Sequence, residues 1–189
     1  NNGLLLSAGK VSHDYPFSWR SKQPVIFRAT EQWFMELVEG KVREKALEVI
    51  DSSVQWYPRW GYERIRNMVE SRPDWCLSRQ RSWGVPIPAI RSKKTGESIL
   101  HVDVIDAFIE RVRHVGSDAW FNEPLEQFLP EDFIHDPTGE STAKDFVKEF
   151  DILDVWFDSG SSHIASLEQD DRLSAPADLY LEGSDQHRG

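Results

Sequence analysis

Apolar residues recur every three or four positions in three stretches of the chain, as they do on the buried face of an amphipathic helix. This spacing predicts helices over 41–50, 62–70 and 104–115. The residues on the apolar faces are Val42, Ala46, Leu47 and Ile50 in the first helix, Ile65, Met68 and Val69 in the second, and Ile105, Phe108, Ile109 and Val112 in the third.

Short apolar runs bounded by turn residues predict strands between these helices. Residues 24–29 form one such run and lead into a helix predicted over 31–38, which Thr30 caps. Residues 178–181 form a second run, and residues 92–97 have the composition of a hairpin turn. Strands that alternate with helices predict an α/β fold with ligands at the carboxyl ends of parallel strands.

The composition indicates a globular protein. With 189 residues, 39% of them hydrophobic and 12% aromatic, the chain can bury a core of one to two domains. No apolar run reaches the roughly 18 residues of a membrane helix, and the N-terminus lacks the basic flank of a signal peptide. The single cysteine, Cys76, excludes an internal disulfide and favours a reducing, cytoplasmic setting.

The net charge of −10 argues against non-specific nucleic-acid binding, which needs clustered cations to neutralise phosphates. Any contact with RNA is therefore expected to be local. The alternative interpretation is a solvated basic face with tryptophans in the core. The cationic and stacking candidates are Arg59, Arg64, Arg66, Arg72, Arg79 and Arg81, with Trp60, Trp75 and Trp83 among them.

The last segment, residues 181–189, has the composition of a nucleotide-binding loop. Gly183 lets the backbone approach a flat or phosphorylated ligand, and Glu182, Asp185 and Gln186 can accept hydrogen bonds from ribose hydroxyls or an amine. The alternative is a polar loop that caps a following helix. Because the sequence stops inside this segment, we expect it to be a piece of a larger enzyme.

Two further segments combine aromatic and polar residues. Residues 151–163 read Asp-Ile-Leu-Asp-Val-Trp-Phe-Asp-Ser-Gly-Ser-Ser-His, and residues 74–88 read Asp-Trp-Cys-Leu-Ser-Arg-Gln-Arg-Ser-Trp-Gly-Val-Pro-Ile-Pro. With the last segment, they resemble the catalytic domain of class I aminoacyl-tRNA synthetases. The Ser-Arg-Gln-Arg-x-Trp-Gly block is similar in valyl and leucyl members, whereas the other two segments are most similar to the isoleucyl members.

The resemblance implies a part of a Rossmann-like nucleotide-binding catalytic domain with an inserted, small α+β connective subdomain. Residues 1–22 would be exit strands of the editing insertion, and 23–90 the first catalytic part. Residues 91–150, which match only loosely and contain several prolines, would be the second connective insertion. Residues 151–189 would be the catalytic part that carries the amino-acid and adenylate loops.

The resemblance also implies binding roles and no catalytic nucleophile, since the chemistry depends on alignment and charge stabilisation. Trp156 would wall the isoleucine pocket, with Asp158 and Ser159 shaping the adjacent loop; the alternative for Trp156 is a core aromatic at a strand end. The adenylate would contact the neighbouring strand tip, at Glu182, Gly183, Asp185, Gln186 and His187. The tRNA acceptor end would lie near Ser78, Arg79, Gln80, Arg81 and Trp83.

The implied substrates are L-isoleucine, ATP with Mg²⁺ and tRNA(Ile), for a parent protein that is a monomer without a membrane partner. Ser18 and Ser21 stand where some relatives carry a zinc-binding cysteine pair, so we predict no zinc. Both ATP signature motifs of class I enzymes are missing, which predicts no isoleucine activation by this chain alone. The alternatives are a valyl or leucyl member, or a non-catalytic nucleotide- or RNA-binding module.

Overall fold

The computed structural model describes residues 3–4, 6–131, 133–134 and 139–179. The chain divides into two units, 1–31 and 32–189. The first unit contains one antiparallel bridge between Phe17 and Pro24, closed by a turn in which the Ser18 amide donates to the Gln23 carbonyl at 2.9 Å. The strand predicted over 24–29 is reduced to this bridge, beside which the Val25 amide donates to the Pro16 carbonyl at 3.2 Å.

The helix predicted over 31–38 is wrong. Strand β1, Phe34–Met35, lies there and pairs antiparallel with β2, Trp75–Cys76. Tertiary hydrogen bonds hold this segment extended: the Trp33 amide donates to Ser78 Oγ at 2.8 Å, and the Leu77 amide donates to the Trp33 carbonyl at 2.8 Å. These contacts come from distant residues and override the local preference for a helix.

Two helices connect β1 to β2. They are α1, Val42–Ser52, and α2, Trp60–Glu70, which confirm two of the predicted helices. Ile50 is buried, as its position on the predicted apolar face requires. The Arg66 guanidinium in α2 lies 3.2 Å from the Asp51 carboxylate in α1, which forms an ion pair between the two helices. It also lies 3.0 Å from the Glu70 carboxylate in its own helix.

Strand β3, Ser78–Arg79, pairs antiparallel with β7, Ile152–Leu153. The segment after β3 returns along the same strand, with Pro86 bridged to Ile152 and the Leu153 amide donating to the Val85 carbonyl at 2.8 Å. Ile152 is therefore enclosed between two parts of the 74–88 segment. The two motif segments of the sequence meet here.

A three-stranded antiparallel sheet of order β5-β4-β6 carries the main core. Its strands are β4, Ile90–Ser92, β5, Ser98–Ile99, and β6, Phe146–Lys148, and the predicted turn over 92–97 joins the first two. Helices α3, Val102–Val115, and α4, Ala119–Asn122, are followed by a 3₁₀ turn, Leu125–Gln127. The core residues are Ile90, Ile99, Val104, Phe108, Ala119, Trp120, Leu125, Phe128, Phe133 and Phe146.

The helix predicted over 104–115 is confirmed, but its inward face is rotated. Val104 and Phe108 are buried and Val112 packs against the core, whereas Ile109 is exposed. The buried face of this helix is therefore formed by positions 104, 108 and 112, which are four residues apart. Glu149, beyond β6, accepts from Ser98 Oγ at 2.6 Å and from Trp33 Nε1 at 3.2 Å, and so ties this sheet to the segment before β1.

Helix α5, Val155–His163, follows β7 and runs into a π-helical turn, Ile164–Glu168. Of the strand predicted over 178–181, Leu179 is exposed and Tyr180 and Leu181 lie outside the described residues. The fold is mixed α/β. Every strand pair in the described ranges is antiparallel, so the predicted parallel, Rossmann-like sheet is not among them. No described helix is long and apolar enough to cross a membrane.

Candidate functional site

Asp154 marks the junction between β7 and α5. Its amide donates to the Leu77 carbonyl at 2.7 Å, and its Oδ1 accepts from the Trp156 amide at 3.2 Å. Aspartate is a preferred N-cap residue because its carboxylate pairs with amides that have no partner inside the helix. The Asp-Val-Trp-Phe sequence therefore turns from strand to helix and places Trp156 in the first helical turn.

The second oxygen of Asp154 joins two residues of the 74–88 segment. Oδ2 lies 2.6 Å from Arg79 Nη2 and accepts from Trp75 Nε1 at 3.0 Å. Arg79 also donates to the carbonyls of Cys76 at 2.8 Å and Ser78 at 2.9 Å. The Asp154 side chain is only 6% exposed, and these donors provide the partners that a buried carboxylate needs.

Two hollows of about 440 Å³ each include this ion pair in their lining. Both are lined by Arg79, Asp154 and Trp156. We call them the Cys76 hollow and the Trp83 hollow. The first is completed by Arg72, Pro73, Asp74, Trp75 and Cys76. The second is completed by Arg81, Trp83, Gly84, Ile152, Leu153, Val155 and Asp158.

The Trp83 hollow has an indole on each of two chain segments. Trp156 is half-buried and anchored through its amide, whereas Trp83 is 90% exposed. The sequence had placed Trp156 in the amino-acid pocket and Trp83 near the tRNA. The structure brings both to one hollow, where aromatic and aliphatic side chains line the space together with four charged residues, Arg79, Arg81, Asp154 and Asp158.

Asp158 contributes a carboxylate to the Trp83 hollow. Partial burial raises the pKa of the Asp158 carboxyl, and the nearby Asp154 carboxylate raises it further. Ser159 follows in α5, and its carbonyl accepts from Ser162 Oγ at 2.7 Å. Asp158 and Ser159 thus lie in a helix and not in the predicted loop, because the Asp154 cap starts the helix ahead of them.

The residues predicted to lie near the tRNA acceptor end differ in accessibility. Ser78 is 1% exposed, and its hydroxyl donates to Gln32 Oε1 at 2.9 Å. Arg79 is engaged by Asp154, and Gln80 Nε2 donates to Asp151 Oδ2 at 3.1 Å. Arg81 and Trp83 are exposed. Gln80 is exposed as well, so Gln80, Arg81 and Trp83 offer side-chain surface to a large ligand, whereas Ser78 does not.

The predicted adenylate residues Glu182, Gly183, Asp185, Gln186 and His187 lie outside the described residues. Within the described ranges, no group of three or more His, Cys, Asp or Glu side chains is placed to hold a metal ion.

Sequence reasoning missed Asp154 and Trp75 as parts of the site. Asp154 could have been found from its position between an apolar strand and a helix, where an N-cap aspartate is favoured. Its pairing with Arg79 had no local signal, because 75 positions separate the two residues.

The chain belongs to the class I aminoacyl-tRNA synthetases: residues 14–189 match the family described as tRNA synthetases class I (I, L, M and V). Its relatives carry a more specific name. The isoleucine-tRNA ligase of Syntrophotalea carbinolica is 54% identical over 187 residues, which are 99% of this chain and 20% of that protein. Those of Petrotoga mobilis and Thermotoga maritima are 52% and 50% identical over 189 residues, again 20% of each protein.

The chain thus spans about one fifth of the length of these relatives. The family resemblance drawn from its three motif segments is confirmed.

Proposed function

We propose that this chain is the part of an isoleucine-tRNA ligase that holds the isoleucine side chain and contributes to binding its adenylate. The observation that carries this proposal is the Trp83 hollow, where Trp83 and Trp156 line one space next to a neutralised ion pair. A combination of apolar walls and a few polar groups is typical of sites for small ligands with an aliphatic part. The names of the relatives support isoleucine as that ligand.

In the proposed reaction, the carboxylate of isoleucine attacks the α-phosphate of ATP, which gives isoleucyl-adenylate and releases pyrophosphate. A terminal ribose hydroxyl of tRNA(Ile) then attacks the acyl carbon of the adenylate, takes the acyl group and releases AMP. Mg²⁺ enters with the ATP. The residues of this chain position the reactants: Trp156 orients the aliphatic side chain, and the Arg79–Asp154 pair holds Trp156 in place. No side chain here acts as a nucleophile.

The finer predictions from the sequence belong to the same proposal. We place the chain in a Rossmann-like catalytic domain of a cytoplasmic, monomeric enzyme, with residues 91–150 as an inserted α+β subdomain. The main core supports this division, since its residues run from Ile90 to Phe146. Glu182, Gly183, Asp185, Gln186 and His187 are proposed to complete the adenylate site, and Arg81 and Trp83 to face the tRNA acceptor end.

A chimera tests the proposal. This chain replaces the matching fifth of the Syntrophotalea carbinolica enzyme, and ATP-pyrophosphate exchange is measured with isoleucine, valine and leucine. We expect isoleucine to be preferred, because valine lacks one methylene worth about 0.8 kcal/mol of burial. Trp156→Ala is expected to raise the KM for isoleucine about tenfold or more, a loss of roughly 1.4 kcal/mol, and to leave the KM for ATP nearly unchanged.

Trp19→Ala is the control, because it makes the same substitution at a tryptophan that is exposed and lines neither hollow. Preference for valine or leucine, or equal effects of the two alanine substitutions on the KM for isoleucine, would overturn the proposal. Direct titration of the chain itself with isoleucine, followed by the indole N–H signals in NMR spectra, gives a second readout.

A further inference from the structure

A third hollow, of about 570 Å³, lies at the turn between α1 and α2. It is lined by Gln55, Trp56, Tyr57, Arg59 and Tyr62, and we call it the Tyr57 hollow. It shares no residue with the Cys76 and Trp83 hollows. The proposed amino-acid pocket therefore gives no role to the side chains of the Tyr57 hollow.

Two of its aromatic rings are held in place by the protein. Trp56 Nε1 donates to the Ile50 carbonyl at 3.2 Å, and the Tyr62 hydroxyl donates to Asp51 Oδ1 at 2.9 Å. The two rings meet edge to face with their centroids 6.3 Å apart. Because the rings are already fixed, a ligand that contacts them loses little of its binding free energy to ordering the site.

The other side chains of the hollow are available to a ligand. Tyr57 is 88% exposed. Arg59 and Gln55 are also exposed, and neither side chain has a hydrogen-bond or ion-pair partner among the described residues. Arg66, in α2, differs because Asp51 and Glu70 neutralise it. The hollow thus presents a free phenol ring, a free guanidinium and a free amide.

This combination matches the chemistry of a single unpaired RNA nucleotide. Aromatic rings stack on unpaired bases, a guanidinium pairs with phosphate oxygens, and an amide hydrogen-bonds to base edges. The net charge of −10 opposes long contacts with a nucleic acid, so a local site for one or a few nucleotides is the arrangement the charge permits.

We propose that the Tyr57 hollow binds an unpaired nucleotide of RNA, with the base stacked on Tyr57 and the flanking phosphate held by Arg59. The inference rests on the proposed function for the identity of the RNA as the tRNA substrate. It adds a contact at the α1–α2 turn, on residues separate from those that line the proposed amino-acid pocket.

The test is the affinity of this chain for a short, fluorescently labelled single-stranded RNA at low salt, measured by anisotropy with the matching RNA duplex as a competitor. We expect Tyr57→Ala to raise the Kd about fivefold or more, the usual effect of losing one stacked base. Tyr57→Phe keeps the ring and is expected to bind as the unchanged chain does. Arg59→Ala is expected to raise the Kd. It is also expected to reduce the slope of log Kd against log salt concentration by about one, the change for one lost phosphate contact.

Trp19→Ala is the control, because Trp19 is an exposed ring with the Arg20 guanidinium 4.9 Å from its centroid, in a part of the sequence far from the hollow. It is expected to leave the Kd unchanged. Circular dichroism checks that each variant folds, and the exposure of Tyr57 makes loss of folding an unexpected result. No binding of single-stranded RNA, equal effects of Tyr57→Ala and Trp19→Ala, or equal affinity for duplex would overturn the inference.

The chimera separates this inference from the proposed function. Tyr57→Ala is expected to leave isoleucine activation unchanged while it raises the KM for tRNA, and Trp156→Ala is expected to leave RNA affinity unchanged. If isoleucine is activated and the RNA results are negative, only the inference fails. If Tyr57→Ala lowers the melting temperature of the chimera and leaves the KM for tRNA unchanged, the hollow is a protein contact and the inference is wrong.

Discussion

At the scale of single residues, Asp154 organises the candidate site. One carboxylate caps α5 through the Trp156 amide, pairs with Arg79 and accepts from Trp75. These contacts join β3, β2 and α5, so the orientation of Trp156 depends on a residue that need not touch the ligand. The preorganisation of a binding site commonly depends on such supporting contacts.

Asp154→Asn removes the negative charge and keeps the shape of the side chain. The amide oxygen can still cap α5, but Arg79 loses its ion-pair partner in a half-buried position. We expect the free energy of unfolding to fall by about 2 kcal/mol, less than for a fully buried pair because water reaches Arg79. Urea denaturation measures this change. Glu110→Gln, which breaks the exposed pair with Arg113, is the control and is expected to cost under about 0.5 kcal/mol.

Asp158 gives a prediction on pH. Burial, and then the Asp154 carboxylate, raise the pKa of Asp158 in the folded state. A raised pKa means that the charged form is less favourable in the folded than in the unfolded chain, so the charge lowers stability at neutral pH. Asp158→Asn is therefore expected to raise the urea midpoint at pH 7.

The gain from Asp158→Asn should shrink as the pH falls through the folded pKa of Asp158 towards the ordinary value of about 3.9. Urea midpoints measured along a pH series test the sign. A gain that grows on acidification would contradict the direction of the shift. A charged residue that binds a ligand commonly lowers the stability of the fold at its site.

At the scale of elements, the close packing of the 74–88 segment on β7 depends on Gly84. Its φ of +149° is a conformation that other residues rarely adopt, and a Cβ there would lie 2.4 Å from Ile152 Cδ1. Ile152 is itself buried between two segments. The glycine therefore permits the approach that forms one wall of the Trp83 hollow.

Gly84→Ala is expected to lower the free energy of unfolding by about 1–3 kcal/mol, through backbone strain and displacement of Ile152. Gly160→Ala is the matched comparison, since Gly160 lies inside α5 and an added Cβ meets no atom within 4 Å. That change is expected to stabilise the chain by about 0.5–1 kcal/mol, as alanine favours a helix. Thermal denaturation of both variants measures these changes in stability. A change of the same sign in both variants would contradict the prediction.

Helix α3 allows a test of which face is buried. Phe108 is 6% exposed and stacks edge to face on Trp120 with centroids 5.6 Å apart, whereas Ile109 is 42% exposed. Phe108→Ala is expected to cost about 3–5 kcal/mol, and Ile109→Ala about 1 kcal/mol or less. Denaturant titrations of the two variants measure the difference. Similar losses would indicate that the face inferred from apolar spacing alone is the correct one.

At the scale of the whole molecule, the described part of the chain contains a core, the Cys76, Trp83 and Tyr57 hollows and the Arg79–Asp154 ion pair. The sequence contains neither ATP signature of its family. We expect the purified 189-residue chain to show no ATP-pyrophosphate exchange with isoleucine. Residues that position an amino acid do not by themselves align the phosphates. The chimera serves as the positive control in the same assay. Turnover by the chain alone at the rate of the chimera would refute this expectation.

Much of the local structure could be predicted from the sequence, and little of the long-range pairing. The helices over 41–50, 62–70 and 104–115 and the turn at 92–97 were recognisable because their signals lie within a few residues of each other. The segment around Phe34 was misread as a helix, since its partner strand at Trp75 is distant in the sequence. The site was predictable in part: Trp156 was given a role from its motif, whereas Asp154, in the same motif, was given none.

The sequence by itself determined the class I synthetase family, the three main helices and a tryptophan in the 151–163 segment, because motifs and periodicity are properties of neighbouring residues. Only the tertiary structure decided that Arg79 pairs with Asp154, that Ser78 is buried and that Trp83 and Trp156 line one hollow. Those outcomes depend on which distant backbone segments pair and exclude water together, and no local spacing encodes that choice.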